Sequence, residues 1–173
     1  MKTAFLGLGS NLGDRRGHLA AAARELAADP AVTLVRASGI YETRPVGKED
    51  QPDFLNQVLQ IATTHEPRAL LAACLAVELR LGRERRERWG PRLIDIDVLL
   101  YEGLTCHDAE LVLPHPRMHE RGFVLTPLAE LAPDLLLHGL TVRDLAAQVG
   151  PAGLWLAEPP AALPPGVNRE VAQ

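Results

Sequence analysis

Residues 94–98 read Ile-Asp-Ile-Asp-Val, within the longer stretch RWGPRLIDIDVLL at 88–100. A period of two belongs to a β-strand, whose alternate side chains point to opposite faces. Asp95 and Asp97 then project together, while Ile94, Ile96 and Val98 go the other way. Aspartate is a poor strand former, and like charges on one strand face repel, so something positive is expected opposite them. Carboxylate pairs with open positions suit Mg²⁺, which takes oxygen ligands and shares them with substrate phosphates. Just upstream, LGRERRERWGPR carries Arg83, Arg85, Arg86, Arg88 and Arg92. Guanidinium forks match phosphate oxygens. An acidic strand beside an arginine-rich loop points to a nucleoside polyphosphate handled together with its metal.

Each half of this pattern has a plainer explanation. By spacing alone, Asp-x-Asp in a strand is more often a solvated face than a metal site. The arginines, interleaved with Glu84 and Glu87, also fit an ordinary solvated helix end. Against the second explanation, Gly82, Gly90 and Pro91 punctuate a loop and not a continuing helix. Trp89 lies in that loop, and an exposed Trp is costly unless it covers something flat or apolar.

The chain has 173 residues, 47% of them hydrophobic, enough for one compact domain with a real core. Its net charge of −4 argues against a dedicated nucleic-acid binder, whose basic footprint would dominate. Cys74 and Cys106 lack metal-ligand spacing and read as free thiols of a reducing cytosol. MKTAFLGLGSN is a short apolar run broken by glycines, a strand and not a signal peptide. No apolar stretch approaches membrane-spanning length. The expectation is a cytoplasmic protein with no membrane and no nucleic-acid partner.

Along the chain, residues 3–8 read as a first strand, ending in the glycine-rich turn GLGSNLG at 7–13. Asp14 caps an Ala/Leu helix to about Ala28. Residues 32–37 read as a second strand, with continuation to Tyr41 as an option, followed by a long polar loop over 43–52. A third strand is expected over 54–64. Pro67 then opens a helix over 68–81, with Leu70, Leu71, Cys74, Leu75 and Glu78 at helical spacing. The arginine loop and the Asp strand follow. That order, β-α-β-β-α-β, predicts an α+β, ferredoxin-like split βαβ fold, an antiparallel sheet with both helices on one face. Beyond it, a strand near 110–113, a helix over 122–131 and a short helix over 142–149 capped by Thr141 are expected. Residues 1–150 would form the single domain, and 151–173 a Pro-rich extended tail with Trp155 as a possible anchor.

The glycine turn does not fit a dinucleotide fingerprint, because G-x-G-x-x-G would need glycine where Leu12 stands. Turn geometry is the preferred account of it, with anion binding at the helix N-terminus as the alternative. His115 and His119 are four apart, but Pro116 intervenes and no third ligand is near, which argues against zinc. His115 fits a phosphate contact beside Arg117 or Arg121, or simply a satisfied loop histidine. Phe54 and Phe123 both flank polar loops in a chain with 4% aromatics, and two such rings could sandwich a flat heterocycle.

Five segments also align with a known family: FLGLGSNLGD, YETRPVG, QPDFLNQV, GRERRERWGPRLIDIDVLLY and LPHPRMHERGFVLTPLAELAPD. Spanning roughly residues 4–134 in the family's order, they closely resemble the 6-hydroxymethyl-7,8-dihydropterin pyrophosphokinases of folate biosynthesis. The resemblance implies transfer of diphosphate from ATP, the co-substrate, to the pterin hydroxymethyl group, with release of AMP. It implies two Mg²⁺ ions held by Asp95 and Asp97, and Arg83, Arg85, Arg92, His115 and Arg121 engaging phosphates or nucleotide. Phe54 and Phe123 would stack the pterin, Asn56 would bond its edge, and Thr43, Pro45 and Val46 would line its pocket. Trp89 would fold over the site, and adenine would lie against the Ile96–Val98 end of the strand. ATP and the pterin are the implied partners of a monomer, or a weak homodimer. In three places the chain departs from the commonest pattern. The arginine loop is one residue shorter, so Arg85 and Arg86 are interchangeable in register; Leu75 replaces a frequent Gln, and Glu110 a basic residue.

Overall fold

The computed structural model describes residues 1–46, 49–82 and 91–161. Strand β1 (Lys2–Ser10) leads into helix α1 (Arg15–Ala27), β2 (Val32–Ala37), β3 (Ile40–Thr43), β4 (Phe54–Thr63), α2 (Pro67–Arg80) and β5 (Asp95–Tyr101). A small hairpin of β6 (Cys106–His107) and β7 (Val112–Leu113) follows, then α3 (Gly122–Leu131) and a hairpin of β8 (Leu136–Leu137) and β9 (Leu140–Thr141). Helix α4 (Val142–Val149) and strand β10 (Leu154–Glu158) complete the described chain. The main sheet runs β10-β3-β4-β1-β5, with β2 also on β4, and its ladders are antiparallel. The split βαβ core of an α+β, ferredoxin-like fold is present as expected.

Helix starts follow local chemistry. The Asp14 carboxylate accepts from Gly17 N at 3.0 Å, Pro67 opens α2, and Thr141 Oγ1 accepts from Asp144 N at 3.1 Å. The second strand breaks at Ser38 instead of running on to Tyr41. Ser38 N donates to the Val58 carbonyl, and its hydroxyl accepts from Val58 N, both at 2.9 Å. The side chain thus replaces one rung of the ladder and lets β3 turn away as a separate strand.

Both faces of the sheet are covered. Leu6, Leu8, Leu59, Ile61, Ile96 and Val98 face α1 and α2, as the alternation predicts. On the other face Phe5, Val58 and Leu99 pack against α3 and α4 through Leu125, Leu128, Val142 and Leu145. Within α2, Leu70, Cys74, Val77 and Glu78 are buried, but Leu75 is 44% exposed: the inward face is one step round from the expected one.

Two expectations near the ends of the chain are corrected. Gly7 and Gly9 are not turn residues, because β1 continues through Ser10 and the turn begins only at Asn11. The chain after Gly150 is not simply a tail, since Leu154–Leu156 pair with Thr43–Tyr41 and β10 becomes the outermost strand. Its Leu-Trp-Leu-Ala-Glu sequence satisfies the otherwise open edge of β3. The rest of the Pro-rich segment, 162–173, is outside the described residues, within which no helix is long and apolar enough to cross a membrane.

Candidate active site

The face shared with α3 and α4 is only partly covered, and a cavity of about 270 Å³ opens beside them. Its floor is two rows of side chains across three strands. Asn56, Gly9 and Asp95 form one row, and Val58, Gly7 and Asp97 the next. Close approach favours glycine in both rows. A Cβ on Gly9 would lie 3.3 Å from Asn56 Oδ1, and one on Gly7 would lie 3.3 Å from both Leu99 methyls. The glycines hollow the sheet where the two carboxylates and the Asn56 amide converge.

Strand β5 is tuned to present these carboxylates. On its outer edge, buried Glu78 of α2 accepts from Ile96 N at 2.6 Å, anchoring the strand between the two aspartates. One step on, β5 carries an extra residue opposite the Phe5–Leu6 step of β1. This bulge is at Leu99, whose carbonyl accepts from His115 N at 2.9 Å and so fixes the histidine backbone beside the floor.

Positive groups face the acidic pair, as the charge argument requires. Arg92 Nη1 lies 2.6 Å from Asp95 Oδ1. His115 Nε2 lies 4.0 Å from Asp97 Oδ2, while its Nδ1 accepts from Arg117 N at 3.4 Å. That contact leaves the ring proton on Nε2, aimed at the cavity. Burial, and then the nearby Arg121 charge, pull the His115 pKa below the ordinary imidazole value, partly offset by Asp95. Arg121 packs over the Phe123 ring, 5.6 Å from its centroid.

On the opposite wall Asn56 Nδ2 donates to Thr43 Oγ1 at 2.9 Å. This bond orients the amide and turns Oδ1 towards Gly9 and the cavity. Phe54 and Phe123 both line the space, from β4 and α3 respectively. Glu130 holds α3 against β3, accepting from Tyr41 Oη and from Gly39 N (2.9 Å).

Ten of the residues singled out from sequence therefore line one cavity: Thr43, Val46, Phe54, Asn56, Arg92, Asp95, Asp97, His115, Arg121 and Phe123. Pro45 lines an adjoining hollow that shares Thr43, Val46, Arg121 and Phe123. The Ile96 and Val98 side chains point the other way, into the core, so a nucleotide could meet them only through their backbone. Arg83, Arg85 and Trp89 are outside the described residues, as are Arg86 and Arg88.

Sequence reasoning missed Gly7, Gly9, Arg44, Gln51 and Gln57 of the lining, and also Asn11, which supports the site from a segment read as a turn. Buried Asn11 exchanges backbone and side-chain bonds with Arg92 (3.1 and 2.8 Å), and its Nδ2 donates to Gln51 Oε1 and the Pro52 carbonyl at 3.1 and 3.0 Å. It ties Gln51 and Pro52 to the segment carrying Arg92. The available signal was a buried-type position directly after a strand occupied by Asn, which seldom stays buried without several bonds.

Comparison with known proteins agrees with this architecture. Residues 5–133 match the family model 7,8-dihydro-6-hydroxymethylpterin-pyrophosphokinase (HPPK). A 2-amino-4-hydroxy-6-hydroxymethyldihydropteridine pyrophosphokinase of Methylorubrum extorquens is 52% identical over 91% of this chain and 100% of its own length. A Bacillus subtilis protein of the same name is 48% identical over 74% of this chain and 77% of its own. A solved HPPK-DHPS structure in complex with substrates superposes with a TM-score of 0.68 over 85% of this chain, at 14% identity. That likeness concerns the fold, and this chain spans 43% of the solved chain's length. With most of its length matched by the family model and by relatives about half identical, this chain belongs to the 7,8-dihydro-6-hydroxymethylpterin-pyrophosphokinase family.

Proposed function

We propose that this chain is an ATP-dependent diphosphotransferase of folate biosynthesis that uses the cavity on the α3 face as its active site. It would convert ATP and 6-hydroxymethyl-7,8-dihydropterin into AMP and the pterin diphosphate. The observation that carries this reading is the convergence, over a floor of two glycines, of a same-face aspartate pair, a cationic rim and two aromatic rings.

In this reading the pterin lies between Phe54 and Phe123, and Asn56 Oδ1 accepts from an N–H on its edge. Thr43, Pro45 and Val46 border the ring from the loop side. Arg92, Arg121 and the Nε2–H of His115 donate to phosphate oxygens, with Arg83 and Arg85 joining them from the arginine loop and Trp89 covering the site. ATP would meet the Ile96–Val98 end of β5 through backbone groups.

Asp95 and Asp97 fit a pair of Mg²⁺ ions by donor chemistry: hard oxygens on one strand face, with space above them because Gly7 and Gly9 carry no side chain. A Mg²⁺ ion held by these two carboxylates would keep waters and share substrate phosphates. Bound there, Mg²⁺ would neutralise and align the triphosphate.

The protein supplies no covalent nucleophile. The pterin hydroxyl oxygen bonds to the β-phosphorus as the bond from that phosphorus to the α–β bridging oxygen breaks; AMP leaves, and the hydroxyl proton is released to solvent. The chain's share is alignment and charge stabilisation. The test is product analysis with ATP, Mg²⁺ and the pterin: AMP should accumulate only when pterin is present. Formation of ADP, or of AMP without pterin, would contradict the reading. Asp97→Ala should abolish turnover while leaving the circular dichroism spectrum unchanged.

A further inference from the structure

Thr43 and Phe54, which flank the polar loop and line the cavity, are held from behind the sheet. The two strands flanking that loop pair Thr43 with Phe54 and Glu42 with Leu55. Alternation turns Glu42 away from Thr43 and from the cavity, onto the α1 face. There Arg15, the first residue of α1, uses one nitrogen twice. Its Nη1 donates to Glu42 Oε1 and to the Asp53 carbonyl oxygen, each at 2.9 Å. The Asp53 carbonyl immediately precedes Phe54, the ring on the cavity wall. The other Glu42 oxygen accepts from Trp155 Nε1 of β10 at 3.3 Å. Arg15 and Glu42 are both about three-quarters buried, with 27% and 23% of their side chains exposed, so water screens the pair less than it would a surface ion pair.

We propose that Glu42 is a positioning residue, coupling the C-terminal strand through Arg15 to the backbone that sets the Phe54 ring. The inference rests on reading the cavity as the pterin site. Trp155, which sequence alone left as a loose anchor for a tail, is then a working part of the pocket's support. Strand β10 reinforces the same end of the loop, with Leu154 opposite Thr43 and the Gly153 carbonyl accepting from Arg44 N at 3.4 Å. Among the described residues Glu42 bonds Arg15 and Trp155 and not Arg92, Arg121 or His115, so its loss should register on pterin and not on ATP.

The test is steady-state kinetics on the full chain with Glu42→Ala, Arg15→Met, their double variant and the mild Trp155→Phe, which keeps a ring but removes the indole N–H. Glu42→Ala and Arg15→Met are expected to raise the pterin KM at least fivefold, with kcat and the ATP KM within twofold of wild type. The double variant should be no worse than the poorer single one, because both break one connection. Trp155→Phe should raise the pterin KM about twofold, and Glu42→Gln, which keeps an acceptor for Arg15, should fall between wild type and Glu42→Ala. A lowered melting temperature with unchanged pterin KM, or equal losses in both substrates, would reduce the network to a structural role and overturn the proposal. Phe54→Ala separates the two levels. If it leaves the pterin KM unmoved, the pocket reading itself fails. If it raises KM while the Glu42 and Arg15 variants do not, only the coupling fails.

Discussion

Adding one methyl group to the cavity floor is the sharpest single perturbation of this site. In Gly9→Ala the new Cβ would sit 3.3 Å from Asn56 Oδ1 and 3.7 Å from Phe54 Cδ1. The second contact is ordinary; the first is tight and requires the amide to yield by a few tenths of an ångström. The amide is held by its 2.9 Å bond to Thr43 Oγ1, so yielding misaligns either that bond or the one Oδ1 offers the pterin. Losing one such bond costs about 1–1.5 kcal/mol, a factor of about five to thirteen in pterin affinity. The side chains that form the two cores are untouched, so the melting temperature should shift by no more than about 3 °C. Measuring KM for each substrate, alongside pterin binding by fluorescence, isolates the effect. A pterin KM equal to wild type, or a loss confined to ATP, would refute the placement of the pterin over the Asn56–Gly9–Asp95 row.

Other consequences concern support and charge. Arg92→Ala removes the cation 2.6 Å from Asp95 and is expected to lower kcat/KM more than about tenfold, since charge-stabilising donors contribute several kcal/mol; comparable kcat/KM would argue against a phosphate role. Glu78→Ala leaves Ile96 N without its 2.6 Å acceptor inside the fold and should cost about 1.5–3 kcal/mol by urea denaturation. Asp29 is held below the ordinary carboxylate pKa, chiefly by its 2.7 Å bond to His65. A depressed folded pKa means this stabilisation is full above the unfolded value and disappears as pH falls through the folded one. The stability difference between wild type and Asp29→Asn should therefore shrink as pH drops below about 4; a gap that widens there would invert the assignment.

Much of this fold was legible because period and punctuation agreed. Alternation in Ile-Asp-Ile-Asp-Val predicted which face of β5 is core, and Asp14, Pro67 and Thr141 predicted where three helices begin. Non-local consequences were harder to read. Gly7 and Gly9 looked like turn formers because glycine usually is one, yet here their missing side chains make room for a cavity within a strand. The break at Ser38 depends on a hydroxyl meeting Val58, twenty residues away. β10 was hidden by its Pro-rich surroundings, since whether five residues form a strand depends on an open edge elsewhere. Within the site, Asp95, Asp97, Arg92, His115, Arg121 and the two phenylalanines could be named from type and position, whereas Thr43, Val46 and Asn56 came only from the family resemblance. Asn11 could not, because its importance lies in joining two loops that only the folded chain brings together.

The central claim is that Asp95 and Asp97 together hold divalent cations against a triphosphate. Electron paramagnetic resonance titration of Mn²⁺, in the presence of a non-hydrolysable ATP analogue, tests it directly. Wild type should bind two Mn²⁺ per protein–nucleotide complex above the nucleotide-alone background, and Asp97→Asn should lose at least one of them. Identical Mn²⁺ stoichiometry and affinity in the two proteins would contradict the account.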